Sequence, residues 1–138
     1  MKQALLPAGW VKPRGYANGV AARGTQVYIA GQIGWDENAR FTSSEFGAQA
    51  VQALRNIVAV LETAGGKPEH LVRLTWYVVD KKEYLASLKE IGAAFRELIG
   101  DYDIAMSAVQ VVALVEDEAK VEIEATAVIP DEARLSTS

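Results

Sequence analysis

LVRLTWYVVD, Leu71 to Asp80, is the stretch on which the fold turns. Its branched and aromatic residues predict a strand from Leu71 to Val79, set between a helix stop and a helix start. Upstream, Phe46, Ala50, Ala53, Leu54, Ile57, Val60, Leu61 and Ala64 recur at helical spacing after a cap at Ser43 or Ser44. That helix stops at Gly65-Gly66, followed by Lys67-Pro68. Downstream, Asp80 can cap a second helix, whose buried stripe is Tyr84, Leu88, Ile91, Phe95 and Leu98 and whose end falls near Gly100. Each helix has one apolar stripe, so both fit on one face of a sheet. RLTWYVVD and AMSAVQVVAL carry apolar residues on both of their alternating faces, so the second face is expected to be covered, most simply by an oligomer.

Working outward, Tyr16 to Arg23 is compatible with a strand, and Gly24 turns into a second one, TQVYIAGQIG, Thr25 to Gly34. Gly31 inside it marks a close backbone approach or a ligand-side position. GWDENARFTS follows as a loop. In the last third, strands Ala105 to Leu114 and Lys120 to Ile129 are joined by VEDEA. The expected order is β-β-α-β-α-β-β: an α+β domain with a mixed sheet and two helices packed on one face. Residues 1–138 form a single domain in this reading, with the tail DEARLSTS, from about 131 to 138, frayed.

A chain of 138 residues, half of them apolar, can bury one core. Its net charge of −4 argues against a nucleic-acid partner, because phosphate affinity comes from clustered Lys and Arg. Cysteine is absent and His70 is the only histidine, which removes thiol nucleophiles, cysteine metal sites and paired-histidine metal sites. No Gly-x-Ser-x-Gly elbow presents a serine. No leader precedes the domain and no apolar run approaches the roughly 20 residues of a membrane span, so a cytoplasmic protein without a membrane partner is expected.

Chemistry has few places to reside. On KVEIEATAVI, Glu122 and Glu124 share one face. They are either solvated and paired with cations such as Lys120, or one of them is a general base in a crevice between subunits. Met106 and Gln110 share a face with Ile104 and Ala108, where Met106 reads by itself as a gap-filling core residue. Gly15-Tyr16, Ala30-Gly31-Gln32 and Trp35 combine flat apolar surface with room for backbone amides. Trp76 and Tyr77 read as structural or interface residues.

Together these pieces resemble the reactive intermediate deaminase (RidA/YjgF) family. The likeness is carried by Gly15-Tyr16, VYIAGQIG at Val27 to Gly34, the helix QAVQALRNIVAVLETAGG, LVRLTWYVVD, SAVQVVAL, and VEIEATAV at Val121 to Val128. It implies a chorismate-mutase-like homotrimer with inward-facing sheets and sites in the clefts between subunits. It also implies hydrolysis of enamines and imines, such as 2-aminoacrylate, to a keto acid and ammonia, with no metal or organic cofactor.

In the family an arginine before the Ser-x-Val motif grips the substrate carboxylate, and a glutamate on the final strand positions water. The resemblance puts that glutamate at Glu122, a pocket tyrosine at Tyr16 and a pocket glycine at Gly31. The arginine position holds Met106, which has neither charge nor N–H donor. Leu88 stands where asparagine is frequent, and Ala30 where serine is. Three readings follow. In the first, a hydrolase of altered specificity uses Glu122 for water and packs its imine substrate on Tyr16, Gly31, Met106, Trp35 and Gln110, with Arg14 or Arg73 reaching an anionic group from a new direction. In the second, a non-catalytic trimer binds a small metabolite. The third, a ribonuclease, conflicts with the acidic balance.

Overall fold

The computed structural model describes residues 2–131. The expected tail, beyond Asp131, lies outside the described residues. The elements are β1 (Lys2–Leu5), β2 (Gly19–Ala22), β3 (Thr25–Gln32), α1 (Phe46–Thr63), β4 (Leu71–Val78), α2 (Lys81–Ala86), α3 (Leu88–Leu98), β5 (Ala105–Gln110) and β6 (Val121–Ile129). The main sheet runs in the order β3-β6-β4-β5. β6 is antiparallel to both of its neighbours, and β5 is parallel to β4. A parallel pair cannot be closed by a tight turn, and α2 and α3 make the crossover between β4 and β5.

The core lies on the helix side of this sheet. Leu74, Trp76 and Val78 of β4 and Val121, Ile123, Ala125 and Ala127 of β6 are buried there. Ala50, Ala53, Leu54, Ile57 and Leu61 of α1 meet them with no exposed surface. Burying each Leu or Ile side chain is worth about 1.5–3 kcal/mol, so the α1 stripe is a main source of stability. Truncating Leu54 to alanine would open a cavity at a cost of about 2–5 kcal/mol.

One polar side chain is built into this layer. Gln49 of α1 is 1% exposed. Its Nε2 donates to the carbonyls of Ser43 (3.1 Å) and Glu118 (3.0 Å), and its Oε1 accepts from the Lys120 N–H (2.8 Å). The amide is fully used, as burial requires, and it ties the entry to β6 to the start of α1.

Several details differ from the sequence expectations. Lys2–Leu5 forms a strand, paired antiparallel with β2 in a separate two-stranded sheet, and β2 starts at Gly19 rather than Tyr16. The second helix is two helices, because the backbone at Ser87 (φ −101°, ψ 2°) leaves helical values. The residue before α1 is Glu45, with no side-chain cap; Ser43 Oγ instead accepts the Glu45 N–H at 3.0 Å. β5 ends at Gln110 rather than Leu114, because its partner β4 ends at Val78 and turns into α2. Past that point Val112 and Val115 are exposed.

The helix-free face is less apolar than expected. The strand pairing lines up Arg73, Thr75 and Tyr77 of β4 with Thr126, Glu124 and Glu122 of β6 on that face. Tyr77 Oη donates to Glu124 Oε1 at 2.6 Å. Apolar surface survives at Tyr28, 73% exposed, and at Val109.

Candidate functional site

The N-terminal segment reaches the edge of the main sheet through one short parallel bridge. The Ala17 N–H donates to the Ile104 carbonyl at 2.9 Å, and Ala17 pairs with Ala105. This tether sets Arg14, Gly15 and Tyr16 beside Met106 at the start of β5. From the other side α3 contributes Leu88, Ile91 and Phe95. Gly100 (φ +108°) then turns the chain out of α3, and the Tyr102 ring lies where a side chain at 100 would stand.

Between these walls is a cavity of about 730 Å³. Its lining is mostly apolar: Trp76, Tyr84, Leu88, Ile91, Phe95 and Met106, with polar groups from Arg14, Tyr16, Arg96, Asp101 and Ser107. Tyr84 is fixed by an edge contact to Phe46 and a tilted contact to Trp76, with ring centroids 6.2 and 6.1 Å away. Burial pushes its phenol above the ordinary tyrosine range, so it is a neutral group at physiological pH. Lys120–Glu83 is the only ion pair among the described residues, so neither Arg14 nor Arg96 is paired with a carboxylate among them.

Glu122 and Gly31 lie elsewhere. Glu122 is half-buried on the helix-free face, opposite Tyr77. A bulge between Ile29 and Gln32 brings Gly31 against it. A Cβ at Gly31 would collide with the Glu122 carboxylate. The close backbone approach expected at Gly31 is therefore an approach to this side chain. Nearby, the hydrogen bond to Glu124 pushes the Tyr77 phenol upward. A smaller hollow of about 420 Å³ on the same face is lined by Tyr28, Ala30, Arg73, Thr75 and Glu124.

The sequence-derived candidates thus fall into separate places. Arg14, Tyr16 and Met106 share the large cavity with Leu88. Gly31 and Glu122 form a second cluster on the opposite face of the sheet. Arg73 lines the smaller hollow on that face. Trp35 joins neither cavity: it packs on Phe41 with ring centroids 5.9 Å apart, and its carbonyl accepts from Asn56 Nδ2 at 2.9 Å. The Gln110 side chain is engaged at the start of α2, where its Oε1 accepts the Lys81 N–H at 2.8 Å. Arg96, Asp101 and Tyr102 were not anticipated. For Arg96 the signal was present, since Leu88, Gly92 and Arg96 follow one another at four-residue spacing along one helix stripe. Among the described residues no group of three His, Cys, Asp or Glu side chains is arranged to hold a metal ion, and no helix is long and apolar enough to cross a membrane.

Comparison with known proteins agrees on one group. Residues 11–129 match the family model described as Endoribonuclease L-PSP. A RutC family protein of Aquifex aeolicus is 31% identical over 129 residues, covering 93% of this chain and 99% of the relative. A 2-iminobutanoate/2-iminopropanoate deaminase of Salmonella typhimurium is 35% identical over 113 residues, covering 82% and 86%. Among solved structures, that of YyfB from Yersinia pestis, described as a protein of unknown function in the conserved Rid protein family, superposes with a TM-score of 0.79 at 32% identity, covering 93% of this chain and 98% of that one.

Proposed function

The chain belongs to the reactive intermediate deaminase (RidA/YjgF) family, and from that premise we propose that it is an enamine/imine hydrolase of altered specificity, working in clefts between the subunits of a homotrimer. The observation that carries this reading is the division of the candidate residues between the two faces of one sheet. Tyr16, Met106 and Leu88 line the cavity, whereas Glu122 and Gly31 lie on the far face. One chain holds a binding wall and, separately, a carboxylate. A neighbouring copy presenting its helix-free face to the cavity unites them.

In the united site, the water oxygen attacks the imine carbon, the C=N pair shifts to nitrogen, and Glu122 accepts the proton that water gives up. The protonated Glu122 returns that proton to nitrogen, giving the neutral carbinolamine; its carboxylate then takes the hydroxyl proton and passes it to nitrogen as the C–N bond breaks, forming C=O and releasing ammonia. Water is the only co-reactant and no metal or organic cofactor takes part. Gly31 matters because its missing side chain leaves the carboxylate its seat. The name of the Salmonella relative supports the reaction class. Met106 and Leu88 support the change of specificity, since a thioether and an alkyl chain cannot donate to a small substrate's carboxylate. A cytoplasmic setting belongs to the same proposal.

The test supplies the purified protein with imines freshly generated by an amino-acid oxidase and follows ammonia release. Acceleration over the spontaneous rate is expected, with a loss of about 10²–10⁴-fold in Glu122→Gln, the usual reach of a general base. No acceleration with either charged or uncharged imines overturns the hydrolase. Saturable binding without turnover would favour a metabolite-binding trimer, to which the apolar lining also lends itself.

A further inference from the structure

The cavity has a charge that the proposed chemistry does not use. Arg96 stands on α3, one turn after Gly92, and its Nη1 lies 3.5 Å from where a Gly92 side chain would begin. The guanidinium therefore lies back along the helix over a residue with no side chain, toward Leu88, on the cavity wall. Arg14 enters the same lining from the N-terminal segment, and neither has an ion-pair partner among the described residues. Asp101 is the one acid in the lining. Two guanidinium groups and one carboxylate leave one chain's lining with a single net positive charge beside a wall of Trp76, Phe95 and Met106, and the Glu122 that the proposed site adds from a neighbour lowers it further. That balance suits a monoanion with a large apolar body better than a phosphate dianion. The volume of about 730 Å³ also exceeds what a three-carbon acid would fill.

We infer that Arg96, assisted by Arg14, holds the carboxylate of imino or 2-oxo acids bearing an aromatic or large apolar side chain, which packs on Trp76, Phe95 and Met106. The recognition cation has moved from the strand to the helix. A guanidinium suits the task because it offers a planar pair of N–H donors to a carboxylate, and a largely apolar wall strengthens the contact. This assignment rests on the proposed site, but not on turnover.

Calorimetry with phenylpyruvate, its methyl ester and pyruvate provides the test. Phenylpyruvate should bind at least about tenfold more tightly than the ester, which lacks the charge, and than pyruvate, which lacks the ring. Arg96→Ala should weaken phenylpyruvate about tenfold and leave the ester unchanged, with Arg96→Lys in between. Equal binding of acid and ester, equal binding of phenylpyruvate and pyruvate, or an Arg96→Ala variant that matches the wild type overturns the assignment. The two ideas separate cleanly. Arg96-dependent binding without imine hydrolysis keeps the anion site and removes the hydrolase, whereas Glu122-dependent hydrolysis indifferent to Arg96 does the reverse.

Discussion

Met106 is where the chemistry of one residue matters most. On β5 it pairs with Leu74, whose side chain is in the core, and its own side chain is part-buried between that core and the cavity. A methionine there adds dispersion contacts and no directional bond. Replacing it with arginine would place a guanidinium beside Tyr16 and Ser107, where it can fork onto a small carboxylate. A hydrogen bond to a charged group is worth about 1.5–3 kcal/mol, so Met106→Arg should tighten pyruvate binding about tenfold or more in a calorimetric titration. Unchanged affinity would mean that the cavity differs from its relatives in more than this residue. The substitution also bears on Arg96. With a third guanidinium in the cavity, close to the strand, the preference for an aromatic body should shrink, because the carboxylate could then be held without the ring reaching Trp76.

At the scale of elements, the Gln49 amide is the joint between α1, the loop before it and β6. Leucine at this position keeps roughly the volume and removes every hydrogen bond, leaving the Lys120 N–H and the Ser43 and Glu118 carbonyls unpartnered. Orphaned buried groups cost about 1–3 kcal/mol each. Gln49→Leu should therefore lower the unfolding free energy by at least about 2 kcal/mol in urea titrations, where Gln49→Glu, which keeps acceptors but loses the donor, would fail differently, by repelling the carbonyls. A stability equal to the wild type would show that water replaces the amide.

This joint also marks the limit of what the sequence discloses. α1, β4 and β6 were legible because burial imposes a period of 3.6 or 2 on their side chains, from Ala50 to Leu61 and from Val121 to Ile129. Gln49 falls on the same stripe, three residues after Phe46 and four before Ala53, but as a polar residue it does not read as core, since its partners are backbone groups as far away as Lys120. β1 was illegible for the same reason: KQAL becomes a strand by pairing with β2, a partner its own sequence does not announce. The break at Ser87 and the early end of β5 depend on where neighbouring chain turns away. In the site, the sequence grouped Arg14, Tyr16 and Met106 with Gly31, Trp35, Gln110 and Glu122, and only the first three line one cavity. Trp35 and Gln110 were not separable from them, because composition and face cannot tell a residue that packs on Phe41 or caps α2 from one that lines a cavity.

At the scale of the whole molecule, the helix-free face is both incomplete and informative. Tyr28 and Val109 expose apolar surface on it, Thr75 at its centre is buried, and Arg73 and Glu124 supply opposite charges. A face of that composition suits a subunit interface better than open water. Light scattering at micromolar concentration should give the mass of a trimer, and a monomer would remove the proposed site, since Glu122 could not then meet the cavity. Subunit mixing asks the sharper question. Glu122→Gln protomers keep an intact cavity, and Ala108→Trp protomers keep Glu122 but fill the cavity. Each alone should be inactive in imine hydrolysis. Mixed and reassembled in equal amounts, they should recover about a quarter of the wild-type rate, because half of the cavities are open and half of those face an intact glutamate from the next subunit. A site contained within one chain would recover nothing on mixing, so the recovered fraction reports directly whether the two faces of the sheet serve one active site.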